Sequence, residues 1–255
     1  MKFGGAALQT PKHFANVAEI IAAKEGRIVV VVSAMGKMTD SLASLAHQVS
    51  QNPARREMDM LISVGERISM SLLAMALEER KIPAISLTGS QSGIITCSHH
   101  NEAFIEDVRP TRIERHLDEG KVVIVAGFQG VSGEKEITTL GRGGSDTSAV
   151  ALAAALGGEK VEFYKDVLGI YSADPKKNNQ ATLLKKLSYK EALAFSEFVI
   201  HRRSILLASK NGLPLHVLTY EKEQWKEFPG TWIAPSATPK GPVYEISRRA
   251  CRRAS

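Results

Sequence analysis

Cysteine is nearly absent from this sequence: Cys97 and Cys251 are the only two, and neither sits in a CxxC pair or beside histidines at metal-ligand spacing. That excludes a disulfide framework and a zinc site, and it fits a reducing cytoplasm. Aromatic residues are scarce, at 6%, so the core has to be aliphatic. The opening segment MKFGGAALQTP lacks an apolar leader core and has a double glycine where one would begin. No apolar run approaches the ~20 residues of a membrane span, so the expectation is a protein that neither crosses a membrane nor is secreted. Familiar site signatures are missing too. MGKM fails the phosphate-loop pattern because Val31 replaces its first glycine and Met38 follows Lys37, and GRGGSD fails GxGxxG at Asp146. HRD, DFG, HExxH and GxSxG do not occur.

What is present describes an ordinary globular chain, 44% hydrophobic and 24% charged over 255 residues, long enough for one large domain. The net charge of +6 draws partly on SRRACRRAS at the end, with Arg248, Arg249, Arg252 and Arg253. No aromatic-interleaved basic motif accompanies that charge, so no nucleic-acid partner is expected. After about Trp232 the text turns rich in Pro, Ser and Arg, and 234–255 reads as a loosely held basic tail behind a domain of 1–233.

Five short β-branched runs read as buried strands: RIVVVVSA (27–34), IPAISLTG (82–89), KVVIVAGF (121–128), KVEFYKDV (160–167) and LPLHVLTY (213–220). Between them lie helical segments, HFANVAEIIAAKEG, SLASLAHQVS, EMDMLISVGERISMSLLAMALEER, DTSAVALAAALGG and SYKEALAFSEF. Such alternation predicts an α/β fold, a mainly parallel sheet with helices on both faces and ligands at the carboxyl ends of the strands. The residues there, among them Ser33, Thr39, Gly89, the 127–130 run, Asp166 and Tyr171, are mostly small or polar. They suit either a binding rim or plain turns. SGEKEIT (132–138) reads as a surface hairpin.

Four stretches carry candidate chemistry. In KFGG, Lys2 precedes Gly4 and Gly5, whose bare amides admit an anion closely while Lys2 adds a mobile charge; standing alone, these letters read more readily as an ordinary glycine turn. In TLGRGGSDTSAV, Gly143 and Gly144 precede a strong helix former, and Ser145 or Asp146 reads as N-cap. Arg142 suits a carboxylate and Asp146 an ammonium, together a grip for a free amino acid; the plainer reading is a surface arginine and a capping aspartate. Glu66 lies in an apolar helical stretch, where it needs a partner: an ammonium, Arg67 or solvent. In KDVLGIYSADPK, Tyr171 suits packing on a base while Asp166 and Lys176 suit ribose or phosphate, against a bland strand and loop.

Taken in order, KFGG, VVSAMGKMTD, SVGERIS, AGFQG, TLGRGGSDTSAVALAAAL and KDVLGIYSADPK resemble the aspartokinases, a branch of the amino-acid kinase superfamily, from Lys2 to about Trp232. The pair TLGRGGSDT and DVxGIYxADP is specific to that branch. The resemblance implies a three-layer αβα sandwich of the acetylglutamate kinase type. It also implies phosphoryl transfer from ATP to the β-carboxylate of L-aspartate, giving 4-phospho-L-aspartate for lysine, threonine and methionine synthesis. By motif match Lys2, Gly4 and Gly5 take phosphate positions, with Lys2 and Asp146 catalytic. Thr39, Glu66, Phe128, Arg142, Gly143, Gly144 and Asp146 match substrate positions, and Lys165, Asp166, Tyr171 and Lys176 the ATP segment. A carboxylate nucleophile needs no general base, and Mg²⁺ is expected on ATP oxygens and water rather than on protein ligands. A cytoplasmic homodimer is the family's habit.

This chain departs from the family's pattern. KFGGTS is KFGGAA here, so Ala6 and Ala7 lack two hydroxyls; Phe198 replaces a lysine that contacts ATP, and Lys165 stands where threonine is common. Little of the usual first strand precedes KFGG, and the chain ends where regulatory ACT domains begin, so the resemblance implies no feedback inhibition by lysine or threonine. Two alternatives follow from these departures: a weak or silent paralogue that binds nucleotide or amino acid as a sensor or partner subunit, and a sister kinase for another carboxylate.

Overall fold

The protein is described by a computed structural model for residues 1–195, 199–234 and 243–245. Phe198 and the four tail arginines therefore lie outside the described residues. In chain order the first elements are β1 (Lys2–Phe3), α1 (Pro11–Ala22), β2 (Val29–Val32), α2 (Met38–Val49), α3 (Arg55–Ile62), α4 (Val64–Glu78) and β3 (Ala84–Leu87). Then come β4 (Ile94–Thr96), β5 (Ile105–Val108), α5 (Thr111–Asp118), β6 (Val122–Ala126), β7 (Gln129–Ser132), β8 (Ile137–Thr139) and α6 (Gly144–Ala155). The last are β9 (Val161–Lys165), β10 (Lys186–Leu187), α7 (Tyr189–Phe195), α8 (Arg202–Asn211), β11 (Leu215–Thr219) and β12 (Thr231–Ile233).

The principal sheet has eight strands in the order β10-β12-β11-β9-β1-β2-β6-β3, parallel throughout except where β11 meets β12. All five predicted strands lie in it. Strand alternation divides the core between its faces. Val30, Val32 and Ile124 pack with Phe3, Phe14 and Ile21 of α1 and Leu73 and Leu77 of α4, whereas Val31, Val123 and Val125 pack with α6, Ile113 and Ile205. Each large aliphatic so enclosed contributes roughly 1.5–3 kcal/mol. Helices cover both faces, which is the expected αβα sandwich. Helix α1 begins as its letters dictate, with Pro11 at its first turn and Phe14, Val17, Ala18 and Ile21 on its buried face.

A second sheet, order β5-β4-β7-β8, contains the predicted 132–138 hairpin as β7 and β8. The single helix expected over EMDMLISVGERISMSLLAMALEER is two, α3 and α4, meeting at Ser63. The cause lies across the fold: Gln129 Nε2 donates to the Ser63 carbonyl at 2.8 Å, drawing it out of the helical ladder. Within Arg55–Glu78 an 18-residue window reaches a mean hydropathy of 1.5, so by length and composition this helical stretch could cross a membrane. Its inner face, with Ile62, Met70, Leu73 and Leu77 buried, is that of a core helix. Residues 243–245, expected to be loose, are docked: Glu245 N donates to the Ile105 carbonyl at 3.2 Å and Val243 N to Asn211 Oδ1 at 2.7 Å.

Candidate functional site

A pocket of about 470 Å³ opens at the carboxyl end of the parallel strands, and Lys2, Thr39, Glu66, Phe128, Arg142, Gly143, Gly144, Asp146 and Lys165 all line it. Lys2 meets Asp146 and Lys165, 144 and 163 positions away in sequence, because β1 and β9 are neighbours in the sheet and α6 starts above them. On β1 the alternation sends Phe3 into the core, stacked on Tyr164 with ring centroids 4.5 Å apart, so Lys2 points to the opposite face, toward α6. Lys165, two residues after Phe163 on β9, emerges on that same face.

Between the two lysines sits Asp146. Lys2 Nζ lies 2.7 Å from Oδ1 and Lys165 Nζ 2.9 Å from Oδ2, with Lys2 4% and Asp146 5% exposed. Burial alone would raise the Asp146 pKa, yet the two ammonium groups hold it well below the usual carboxylate range. Burial pulls Lys2 down to about 8, with Asp146 opposing that fall, so Lys2 is mainly protonated at neutral pH beside the Asp146 carboxylate. Two readings are thereby corrected. Asp146 spends both oxygens on lysines, so it organises cations instead of standing open to an ammonium. Lys2 is a fixed charge, not a mobile one.

Nor is the N-cap of α6 Ser145 or Asp146: Gly143 takes that place in the left-handed region, φ 70°. A side chain there would be strained and would also collide with His201, whose Cβ would lie 2.2 Å from an added Cβ. Ser145 and Asp146 form the first turn, where their amides have no intrahelical acceptor and line the pocket. Arg142, one residue outside the helix, is exposed at the rim and makes no ion pair among the described residues.

Glu66 faces Lys2 from the other side. Gly65 permits this, because a Cβ there would sit 2.7 Å from Ala34 Cβ, so α4 approaches the loop after β2 closely. Glu66 Oε1 accepts the Ala34 N–H at 3.1 Å, while buried Oε2 has no hydrogen-bond partner among the described residues. Desolvation pushes its pKa up to about 7. The Arg67 and solvent alternatives fall away: Arg67 Nε donates to Gln129 Oε1 at 3.5 Å and Glu66 is 3% exposed.

The remaining expected residues divide. Gly4 lies beside the cluster, an added Cβ standing 3.7 Å from Lys2 Nζ, whereas Gly5 allows tight packing on the Ala34–Gly36 turn, whose Gly36 N donates to Gly5 O at 3.1 Å. Ala6 and Ala7 fall in a 3₁₀ turn, and Ala7 faces the core. Asp166, Tyr171 and Lys176 do not line this pocket. They lie on the segment leaving β9, where Tyr171 bridges Leu183 and Lys176 is exposed.

Sequence reasoning missed Asn101, which lines the pocket with φ 71°. Asp59, fully buried, fixes it by accepting from Asn101 N (3.1 Å), Asn101 Nδ2 (2.9 Å), His100 Nδ1 (2.6 Å) and Thr139 Oγ1 (2.5 Å). The available signal was an asparagine in a loop, a residue type that tolerates the left-handed region. Phe128, at φ 69°, is a second strained rim residue; its amide donates to Ser148 Oγ at 3.1 Å.

The family model described as "Amino acid kinase family" matches residues 1–219. The chain belongs to the amino acid kinase family. It is 50% identical over 222 residues to an aspartokinase of Geobacillus stearothermophilus, covering 85% of this chain and 54% of that protein. Against an aspartokinase of Corynebacterium glutamicum the identity is 49% over 242 residues, 92% of this chain and 56% of that one. The crystal structure of aspartate kinase from Synechocystis superposes with a TM-score of 0.80 at 46% identity, covering 96% of this chain and 40% of that chain. The chain thus spans about half the length of the curated relatives it matches, and the family-model match over residues 1–219 includes Lys2, Asp146 and Lys165.

Proposed function

We propose that the chain transfers the γ-phosphoryl group of ATP to the β-carboxylate of L-aspartate, giving 4-phospho-L-aspartate. The observation that carries this reading is the buried Lys2–Asp146–Lys165 cluster at the amino end of α6, faced by the half-satisfied carboxylate of Glu66. Two lysines and the first-turn amides suit phosphate oxygens and the charge that develops on them during transfer. Asp146 sets the spacing of the lysines and opposes the loss of charge that burial imposes on Lys2. Glu66 suits an α-ammonium, which would satisfy Oε2, and Arg142 suits the α-carboxylate through a two-point hydrogen bond. The β-carboxylate is then left facing the cluster, already a nucleophile without a general base.

Mg²⁺ would arrive on the nucleotide. Glu66 and Asp146 are the carboxylates that line the pocket and Asp146 is occupied by lysines, a setting that suits a metal carried by phosphate oxygens and water. When bound, it would share the neutralisation of β- and γ-phosphate charge with Lys2 and Lys165. We assign Asp166, Tyr171 and Lys176 to the nucleotide, which would extend from the cluster along the segment after β9, and residues 1–233 to the catalytic unit. We also infer a cytoplasmic homodimer, supported by α2, which buries no residue yet exposes Leu45 and Val49.

The test is incubation with Mg-ATP and a panel of acidic amino acids, trapping acyl phosphate with hydroxylamine. Aspartyl hydroxamate is expected, and none above the Lys2→Ala background would end the proposal. Preference for another acid in the panel would redirect it to a sister kinase.

A further inference from the structure

Behind the pocket rim stands a side chain to which the catalytic reading gives no task. Arg203, at the start of α8, is held by Glu245 in a two-point ion pair, Nε to Oε1 at 2.7 Å and Nη2 to Oε2 at 2.8 Å. Glu245 is in turn fixed by the Ile105 amide, which donates to Oε2 at 2.8 Å. The rest of the guanidinium reaches two carbonyls on different loops: Nη2 donates to Ala103 O at 2.9 Å and Nη1 to Leu140 O. Its plane lies over Phe104, 4.9 Å from the ring centroid.

Those two carbonyls stand immediately behind the rim. Two residues before Ala103 is Asn101, and two after Leu140 is Arg142; both line the pocket. The loops touch at their tips as well, since a Cβ on Gly141 would lie 3.0 Å from Asn101 O. His201, two residues before Arg203, packs against Gly143. A planar fork with fixed donor directions holds such a junction in one geometry, which an ammonium on a flexible stem does not.

We propose that Arg203, oriented by Glu245, is a positioning residue: it staples the Ala103 and Leu140 loops so that Asn101 and Arg142 form the amino-acid side of the pocket. The geometry of that subsite then depends on the docked segment 243–245, while Lys2 and Lys165, carried by β1 and β9, do not. The kinetic arm of this inference rests on the proposed aspartate kinase reaction; the structural arm does not.

The experiment compares Arg203→Lys, Glu245→Gln and the double variant in the full chain. KM for the acidic amino acid is expected to rise about 10-fold in Arg203→Lys, with KM for ATP changed less than twofold, as a displaced binding group predicts. Glu245→Gln should give a smaller rise of the same kind, and the double variant should be no worse than Arg203→Lys, because the two residues act as one unit. Unchanged amino-acid KM in folded variants, a parallel rise in both KM values, or additive effects would overturn the proposal. Amide hydrogen exchange over 97–104 and 139–145 decides the structural arm even if wild-type chain phosphorylates no amino acid. Faster exchange in both segments of Glu245→Gln supports the staple, and exchange equal to wild type refutes it. Should Arg203→Lys fail to fold, Glu245→Gln supplies both readouts.

Discussion

Glu66 is where ionisation and ligand binding meet. Its pKa is raised from 4.5 to about 7 by burial, so between those values the folded protein holds a proton that the unfolded chain has released. Stability from this group is therefore complete below pH 4.5 and is lost as pH rises through about 7. Glu66→Gln should remove that dependence and stabilise the empty protein at pH 8 by up to about 3 kcal/mol. Urea unfolding of both forms across the range checks it. The difference between them isolates Glu66 from the Met1 ammonium, whose burial lowers it to about 6 and gives the opposite slope between pH 6 and 8. The same substitution should weaken aspartate while sparing ATP. For Asp146→Asn the expected outcome is different in kind: the buried Lys2 ammonium and the partly buried Lys165 lose their shared counter-charge, a loss of about 3–5 kcal/mol. ATP should raise the melting temperature of that variant more than that of wild type, since phosphate restores the missing charge; equal shifts would contradict the shared-counter-charge account.

At the scale of elements, the amino end of α6 depends on a glycine. Gly143→Ala meets both a left-handed φ of 70° and the His201 side chain, while Gly157→Ala meets a φ of 61° and open space. Strain alone costs about 1–2 kcal/mol, so Gly157→Ala should lose about that much and Gly143→Ala distinctly more, with the pocket disturbed besides. Thermal melts of the pair, with ATP binding as second readout, measure the difference. Much of this level could be read in the letters. The β-branched runs placed five strands, and TSAVALAAAL named a helix that buries residues all round. Helices α5 and α8 were not anticipated, because TRIERHLD and RRSILLASKN are mostly charged or polar and show only short apolar faces. The break at Ser63 was invisible because its cause, Gln129, comes 66 residues later.

Across the whole molecule, legibility followed distance in the chain. Motif matching found nine of the residues that line the pocket, but their pairing was misassigned. The Asp146 contacts reach back 144 residues to Lys2 and forward 19 to Lys165, separations that only the strand order β9-β1-β2 explains. Asn101 and Asp59 were missed for the same reason, since a left-handed asparagine is recognised only once Asp59, far upstream, is seen to hold it. The proposed dimer belongs to this scale as well. Val49→Glu on the exposed face of α2, 85% accessible, should shift the species seen by light scattering toward half mass with little change in melting temperature. An unchanged mass would remove α2 from the interface.

The two tryptophans, Trp225 and Trp232, both lie in the part of the chain that follows α6. Trp225 sits beside Tyr164, 5.9 Å between centroids, and Trp232 stacks on His216 at 4.0 Å. Neither lines the pocket. Intrinsic fluorescence is therefore a built-in optical probe of the β9–β11–β12 side, and the four-stranded sheet carries no tryptophan. If far-ultraviolet dichroism and tryptophan emission report one midpoint in urea, the two sheets unfold as a single cooperative unit; separated midpoints would show that they open one before the other.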